Sequence, residues 1–203
     1  MTEPVKPKIG VLAIQGDFAA HAAMMESLGA ETLEVRTIAD LQACDALVLP
    51  GGESTTQLQF LQEEGLFDEI RKFAGEGKAV FGTCAGAILL ASRVEHPAQA
   101  SLGLIDMTVL RNAYGRQVAS DVSFAPTTLE EQPLEMVFIR APIIASVGPE
   151  VQVLAEYAGK PVLVQKDNLL AATFHPELTT DPTVHQHFLE LIRAGSPASA
   201  ASR

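Results

Sequence analysis

Cys84 stands between Gly82 and Gly86 in the run Val80-Phe81-Gly82-Thr83-Cys84-Ala85-Gly86, with apolar residues before and after it. That spacing is the one a nucleophile elbow uses, where a strand turns abruptly into a helix and pushes one reactive side chain out of the turn. Here the reactive atom is a sulfur instead of a serine oxygen. Small neighbours are needed because a Cβ at either glycine would crowd so tight a turn. The free N–H groups at the start of the next helix favour negative charge, and the thiolate is the nucleophilic form of cysteine. A buried cysteine flanked by two packing glycines would read the same way, so the elbow must be weighed with the groups that could activate it.

An activated cysteine needs a base, and the base needs an orienting partner. His175-Pro176-Glu177 closes the apolar run Leu169-Leu170-Ala171-Ala172-Thr173-Phe174. In extended geometry residues two apart share a side, so imidazole and carboxylate are expected either to face one another or to face one site together at a strand end, held there by Pro176. The order Cys, His, Glu is no obstacle, since triads are defined by geometry. His21 falls in a helix, His96 in a loop, and His185 and His187 near the start of the last helix, each without a carboxylate two residues away in a strand. No metal is expected, because a zinc deaminase pattern would need a Cys-x-x-Cys pair and tetrahedral sites need more ligands. Acyl chemistry also needs N–H donors for a developing oxyanion. Ala85, directly after the cysteine, and the glycine pair of Pro50-Gly51-Gly52-Glu53-Ser54 are the candidates.

These residues require a scaffold. Ile9–Ile14 is a continuous apolar run, as in strands buried on both faces. Asp17 can cap a helix over Phe18–Leu28 that Gly29 ends, followed by a strand over Thr32–Val35, a capped turn from Thr37 and a strand over Asp45–Leu49. Ser54 or Thr55 can cap a helix to Glu64; Leu66–Ala74 continues helical; Lys78–Phe81 delivers the elbow and Ala85–Ala91 leaves it. This alternation predicts an α/β, three-layer fold: a mostly parallel central sheet flanked by helices. The second half is strand-rich, with segments at Leu104–Leu110, Gln117–Phe124, Met136–Ile139, Val151–Tyr157, Pro161–Gln165 and Leu169–Phe174. Those predict antiparallel strands that return to the main sheet, before a last helix over Thr183–Arg193.

Composition narrows the classes further. A chain of 203 residues with 47% hydrophobic and 19% charged residues suits one globular domain over residues 1–203, with flexible tails at 1–7 and 195–203. The net charge of -11 argues against a nucleic-acid partner. Two cysteines make no disulfide framework, and Cys44 reads as a packed thiol. Nothing resembles a signal peptide or the ~20 apolar residues of a membrane span, so a cytoplasmic location without membrane contact is expected.

Taken as an ordered set, the motifs resemble the class I, triad-type glutamine amidotransferases, and within them the glutaminase subunits of pyridoxal 5′-phosphate synthases. The set comprises Gln15-Gly16, Pro50-Gly51-Gly52-Glu53-Ser54-Thr55-Thr56, Gly82-Thr83-Cys84-Ala85-Gly86, Arg111-Asn112 with Gly115-Arg116-Gln117-Val118, Phe138-Ile139-Arg140-Ala141-Pro142 and His175-Pro176-Glu177-Leu178-Thr179. The resemblance implies a catalytic triad of Cys84, His175 and Glu177. It implies a glutamine pocket lined by Gly52, Glu53 and Ser54 and contacted by Arg111, Ile139 and Arg140, with Gly52 and Ala85 as oxyanion donors. From spacing alone, Arg111 and Arg140 read as structural ion-pair partners; their place in the pocket is what the resemblance implies. The implied reaction is hydrolysis of L-glutamine to glutamate and ammonia, without cofactor. The implied partner is a synthase (lyase) subunit that receives the ammonia and builds pyridoxal 5′-phosphate from a pentose phosphate and glyceraldehyde 3-phosphate. A glutaminase serving another ammonia-using synthase and a catalytically silent docking subunit are the alternatives.

Overall fold

The computed structural model describes residues 6–111 and 120–195. Residues 1–5 and 196–203 of the tails expected at 1–7 and 195–203, the motif residues 112–118 and the start (117–119) of the strand expected over Gln117–Phe124 lie outside the described residues, while Gly195 ends the last helix. The first half alternates strand and helix: β1 (Lys8–Leu12), α1 (Phe18–Ser27), β2 (Glu31–Val35), α2 (Ile38–Gln42), β3 (Ala46–Leu49), α3 (Ser54–Glu63), α4 (Leu66–Gly75), β4 (Ala79–Thr83) and α5 (Ala85–Leu90). Strands dominate thereafter: β5 (Ala91–Glu95), β6 (Ile105–Leu110), β7 (Ser120–Ala125), β8 (Leu134–Ile139), β9 (Ile143–Val147), β10 (Gln152–Tyr157), β11 (Lys160–Lys166) and β12 (Leu169–Ala172). A 3₁₀ turn (Pro176–Leu178) and α6 (Thr183–Gly195) follow.

The main sheet has seven strands in the order β10-β11-β12-β4-β3-β1-β2. Its β1, β2, β3, β4 and β12 are mutually parallel, while β10, β11 and β12 are joined by antiparallel pairings. The C-terminal strands therefore rejoin the main sheet, as the strand-rich second half predicts. Side chains alternate between two cores. Leu47, Leu49 and Val80 pack with α3, α4 and α5, whereas Ala46, Val48 and Phe81 pack with Met25 of α1 and Val184 and Phe188 of α6. A sheet apolar on both faces must be covered on both, which is why the central strands read as unbroken apolar runs. Smaller sheets β5-β6-β9 and β7-β8 stand apart from it.

Local chemistry differs from expectation at several ends. Thr37 caps α2 in a reciprocal box, with Asp40 N–H donating to Thr37 Oγ1 and Thr37 N–H to the Asp40 carboxylate. Asp17 makes no side-chain cap on α1, and α3 is capped by Glu53 instead of Ser54 or Thr55: Thr56 N–H donates to Glu53 Oε2 at 2.7 Å. The longer carboxylate reaches the same orphan N–H that a hydroxyl would. The helix after the elbow ends at Leu90 because the chain re-enters extended structure as β5. Strands β5 and β9 escape sequence reading: the first mixes buried Ala91 and Val94 with exposed Ser92 and Arg93, and neither alternates cleanly.

Cys44 is buried, with its thiol pushed up to about 11 by desolvation and hydrogen-bonded to Asp40 O. Two histidines lie in the α1/α6 layer. His21 Nδ1 and His185 Nε2 are 2.9 Å apart, and both rings meet Phe81 edge-on. Burial pushes both below the usual imidazole range, His185 to about 4, so both fold as neutral rings.

Two outcomes follow from this packing. A Cβ on Gly86 would run into the Leu49 carbonyl, so Gly86→Ala should destabilise by ~2 kcal/mol or more, read as a lowered urea midpoint. Because the folded His185 pKa is depressed, its contribution is present above about pH 6.5 and is lost as pH falls toward 4. Over that interval the loss should amount to roughly 3 kcal/mol and be shallower in His185→Gln, measured by urea unfolding across pH.

Candidate active site

The sheet determines which chain ends meet. Strands β4 and β12 are parallel neighbours with Thr83 opposite Ala172, and Cys84 N–H donates to Ala172 O at 2.8 Å. The residues leaving both strands therefore emerge side by side at the carboxyl edge, where open α/β sheets keep their sites. Residues 50–53 leave β3, the next strand over, at the same edge.

Cys84 has φ 47° and ψ -100°, a strained conformation for a residue with a side chain. The surroundings impose it: a Cβ on Gly82 would lie 2.6 Å from the Gly86 carbonyl group. The thiol is 7% exposed as a residue, and Sγ lies 3.8 Å from Ile139 O, to which its proton can be donated. His175 is held by its own backbone, whose N–H donates to Val137 O of β8 at 2.8 Å. Gly51 packs against the ring, and a Cβ there would collide with it.

His175 Nδ1 and Glu177 Oε1 are 2.8 Å apart, so the protonated Nδ1 donates to the carboxylate. The geometry that achieves this is not the extended one the spacing suggests. Residues 176–178 form a 3₁₀ turn with proline at its first position, which folds Glu177 back under the imidazole. Burial works against the imidazolium, but hydrogen bonds and charge from Cys84 and Glu177 outweigh it and raise His175 to about 10.

A cavity of about 240 Å³ opens on these groups, lined by Gly16, Asp17, Gly51, Gly52, Glu53, Ser54, Cys84, Ile88, Arg111, Ile139, Arg140, Pro142 and His175. That volume suits a ligand of amino-acid size rather than a polymer. Of the residues singled out from sequence, Cys84, His175, Gly52, Glu53, Ser54, Arg111, Ile139 and Arg140 share this wall. Glu177 stands behind His175. Ala85, the first residue of α5, is buried immediately behind the thiol. Arg140 has φ 45°, a second strained backbone facing the cavity. Arg111 donates to Glu53 Oε1 at 3.2 Å and to Thr55 Oγ1 at 3.0 Å, so a cation and an anion face each other at the mouth. A second cavity of about 240 Å³, beside Leu41, Lys72, Phe73 and Lys78, is lined by none of the candidate site residues.

Sequence reading assigned no role to several groups here. The buried Gln57 amide donates to Pro50 O (3.2 Å) and Gly51 O (3.1 Å), fixing the turn that carries Gly52, whose φ of +139° favours glycine. Gln15 Nε2 donates to Glu53 O at 2.8 Å. His21, set aside because it sits in a helix, approaches the far side of Glu177: its Nε2 is 3.3 Å from Oε2. Pairing in three dimensions, and not offset in a strand, brings it there. No signal within a single sequence marks such a contact.

Known proteins resemble this chain along most of its length. The sequence model of the SNO glutamine amidotransferase family matches residues 11–194. A Koribacter versatilis protein named pyridoxal 5′-phosphate synthase subunit PdxT is 53% identical, covering 93% of this chain and 97% of its own. One of the same name from Thermotoga petrophila is 48% identical, covering 92% and 100%. A solved structure described as a glutamine amidotransferase is 47% identical, with a TM-score of 0.85, covering 91% of this chain and 98% of its own. The structure of PurLQS from Thermotoga maritima, at 19% identity and a TM-score of 0.67, shares the fold. Among the described residues no helix is long and apolar enough to cross a membrane. With its elbow cysteine, its buried His–Glu pair and its amino-acid-sized cavity at the sheet edge, the chain belongs to the SNO glutamine amidotransferase family.

Proposed function

We propose that this chain, acting as one amidotransferase domain, is the glutaminase component of a pyridoxal 5′-phosphate synthase. It hydrolyses L-glutamine and passes the ammonia to a synthase subunit. The observation that carries the chemistry is the Cys84–His175–Glu177 arrangement, with the 2.8 Å Nδ1–Oε1 contact behind a thiol that opens on the cavity. The name borne by the Koribacter versatilis and Thermotoga petrophila relatives supports the assignment of the partner.

The steps follow from the positions of the groups. The zwitterionic head of glutamine presents a carboxylate and an ammonium, and the Arg111–Glu53 pair at the mouth offers one charge to each. The side-chain amide then points inward to Cys84. The thiolate attacks the amide carbon, and the N–H groups of Ala85 and Gly52 receive the developing oxyanion. His175 gives its Nε2 proton to the departing nitrogen, so the C–N bond breaks, ammonia leaves and a γ-glutamyl thioester remains. Water, deprotonated by His175, adds to the thioester; the C–S bond breaks, and glutamate and the thiolate are restored. Glu177 keeps the imidazole oriented and supports its charge.

Glutamate release from wild type mixed with the synthase subunit should exceed that of Cys84→Ala by ~10³-fold or more, while Cys84→Ala still binds the synthase subunit in sedimentation. Equal release by the two chains would overturn the assignment of Cys84. Loss of stimulation by the synthase subunit, with basal hydrolysis intact, would overturn the assignment of the partner. Arg111→Ala should raise KM for glutamine by about 10-fold or more with a smaller change in kcat, measured by the same assay.

A further inference from the structure

Glu177 carries a side chain with no solvent exposure and two carboxylate oxygens to satisfy. Oε1 faces His175, but Oε2 is buried without a well-formed hydrogen bond. The nearest basic group to it is His21 Nε2 at 3.3 Å, a long contact that falls short of full hydrogen-bond geometry. That nitrogen is also 3.1 Å from the buried Thr83 hydroxyl, one residue before the cysteine. On the opposite side, His21 Nδ1 meets His185 Nε2 at 2.9 Å, and His185 Nδ1 has no partner.

The proton positions along this chain can be deduced. If His21 carries its proton on Nδ1, that proton goes to His185 Nε2. His185 must then carry its own on Nδ1, which strands a buried N–H and leaves Glu177 Oε2 without any donor from His21. If His21 carries it on Nε2, the N–H lies between Thr83 Oγ1 at 3.1 Å and Glu177 Oε2 at 3.3 Å, and His21 Nδ1 accepts from His185 Nε2–H. His185 Nδ1 is then left with a bare lone pair, and Glu177 Oε2 has a donor within reach. A buried carboxylate oxygen without a donor costs far more than a bare imidazole lone pair, so the second arrangement prevails. Burial first, then the neighbouring His185 and His175, hold His21 well below the usual imidazole range, so it acts as a neutral donor at pH 7. Asp181, the charged neighbour of His185, works the other way without overcoming the burial of that ring.

We propose that His21, backed by His185, is a positioning residue for the triad: its Nε2–H holds the far oxygen of Glu177 and locks the carboxylate against His175. Since α1 carries His21 and α6 carries His185, both helices of one sheet face are tied to the site through side chains. The role rests on the glutaminase reading given above, and Thr83 stands ready to share the same N–H.

Amide side chains separate the two ends of the ring. Glutamine places its nitrogen where Nε2 lies and can reach Glu177; asparagine places it where Nδ1 lies and can reach only His185. With the synthase subunit present, His21→Asn and His21→Leu should lower kcat about 10–100-fold with KM for glutamine unchanged. His21→Gln should stay within about 3-fold of wild type. A second readout needs no turnover: alkylation of Cys84 by iodoacetamide at pH 7, followed by mass spectrometry, should slow by about 5-fold or more in His21→Asn and not in His21→Gln. His21→Asn and His21→Gln equal to each other in both readouts would overturn the proposal, whatever their melting temperatures. Should His21→Leu fail to fold, the Asn–Gln contrast still decides. Cys84→Ala run in parallel separates the two ideas, since turnover by that variant would defeat the glutaminase reading itself.

Discussion

The site depends on one pairing, the parallel alignment of β12 against β4. Cys84 and His175 are 91 residues apart in the chain, and nothing local relates them. The register that sets Thr83 opposite Ala172, continued by the Cys84 N–H to Ala172 O bond, brings both to the same edge. A slip of one residue would send the side chains of β12 to the opposite face and move His175 away from the thiol. The register is secured by burial on both faces, because Leu170 and Ala172 belong to one core and Ala171 to the other. Strand β8 adds a second tie. Its Val137 carbonyl takes the His175 N–H, and its Ile139 carbonyl faces the sulfur, so one short strand holds base and nucleophile in mutual position.

Charge behind the thiol is arranged in layers. A cation is wanted on His175, and it rises to about 10 because a thiol and a carboxylate flank it. Deeper in, cations are excluded: His21 and His185 are kept neutral by burial. Glu177 stands between the charged imidazole of His175 and the two neutral ones behind it. At the mouth the Arg111–Glu53 pair is half open to water, with Glu53 also serving as the cap of α3. Its two roles tie the glutamine-sized cavity to the helix that follows β3.

Much of this was legible in the sequence, for physical reasons that differ by element. The central strands declare themselves because a sheet covered on both faces needs unbroken apolar runs, and β1, β3 and β4 have them. The elbow is legible because only glycine tolerates its close approaches, at Gly82 and Gly86. The His–Glu pair was found by an offset that holds although the geometry behind it, a 3₁₀ turn, is not the extended one expected. What stayed hidden depends on tertiary placement. Strands β5 and β9 lack a clean alternation at the two edges of a small side sheet, whereas β6 between them alternates. Glu53 caps where a hydroxyl residue would be expected, Gln57 works by bonding the backbone of the turn just before its own helix, and His21 contacts residues remote in sequence. His185, 164 residues from His21, is the extreme case.

The most direct test of the β4–β12 account is covalent capture of the nucleophile by an electrophilic analogue of glutamine, with the labelled residue located by mass spectrometry. Labelling confined to Cys84 in the wild-type chain, and slowed at least ~100-fold in His175→Ala, is the result the geometry predicts. Labelling that falls on Cys44, or that proceeds on Cys84 at the same rate without the imidazole, would mean that the two strand ends do not form a common reactive centre.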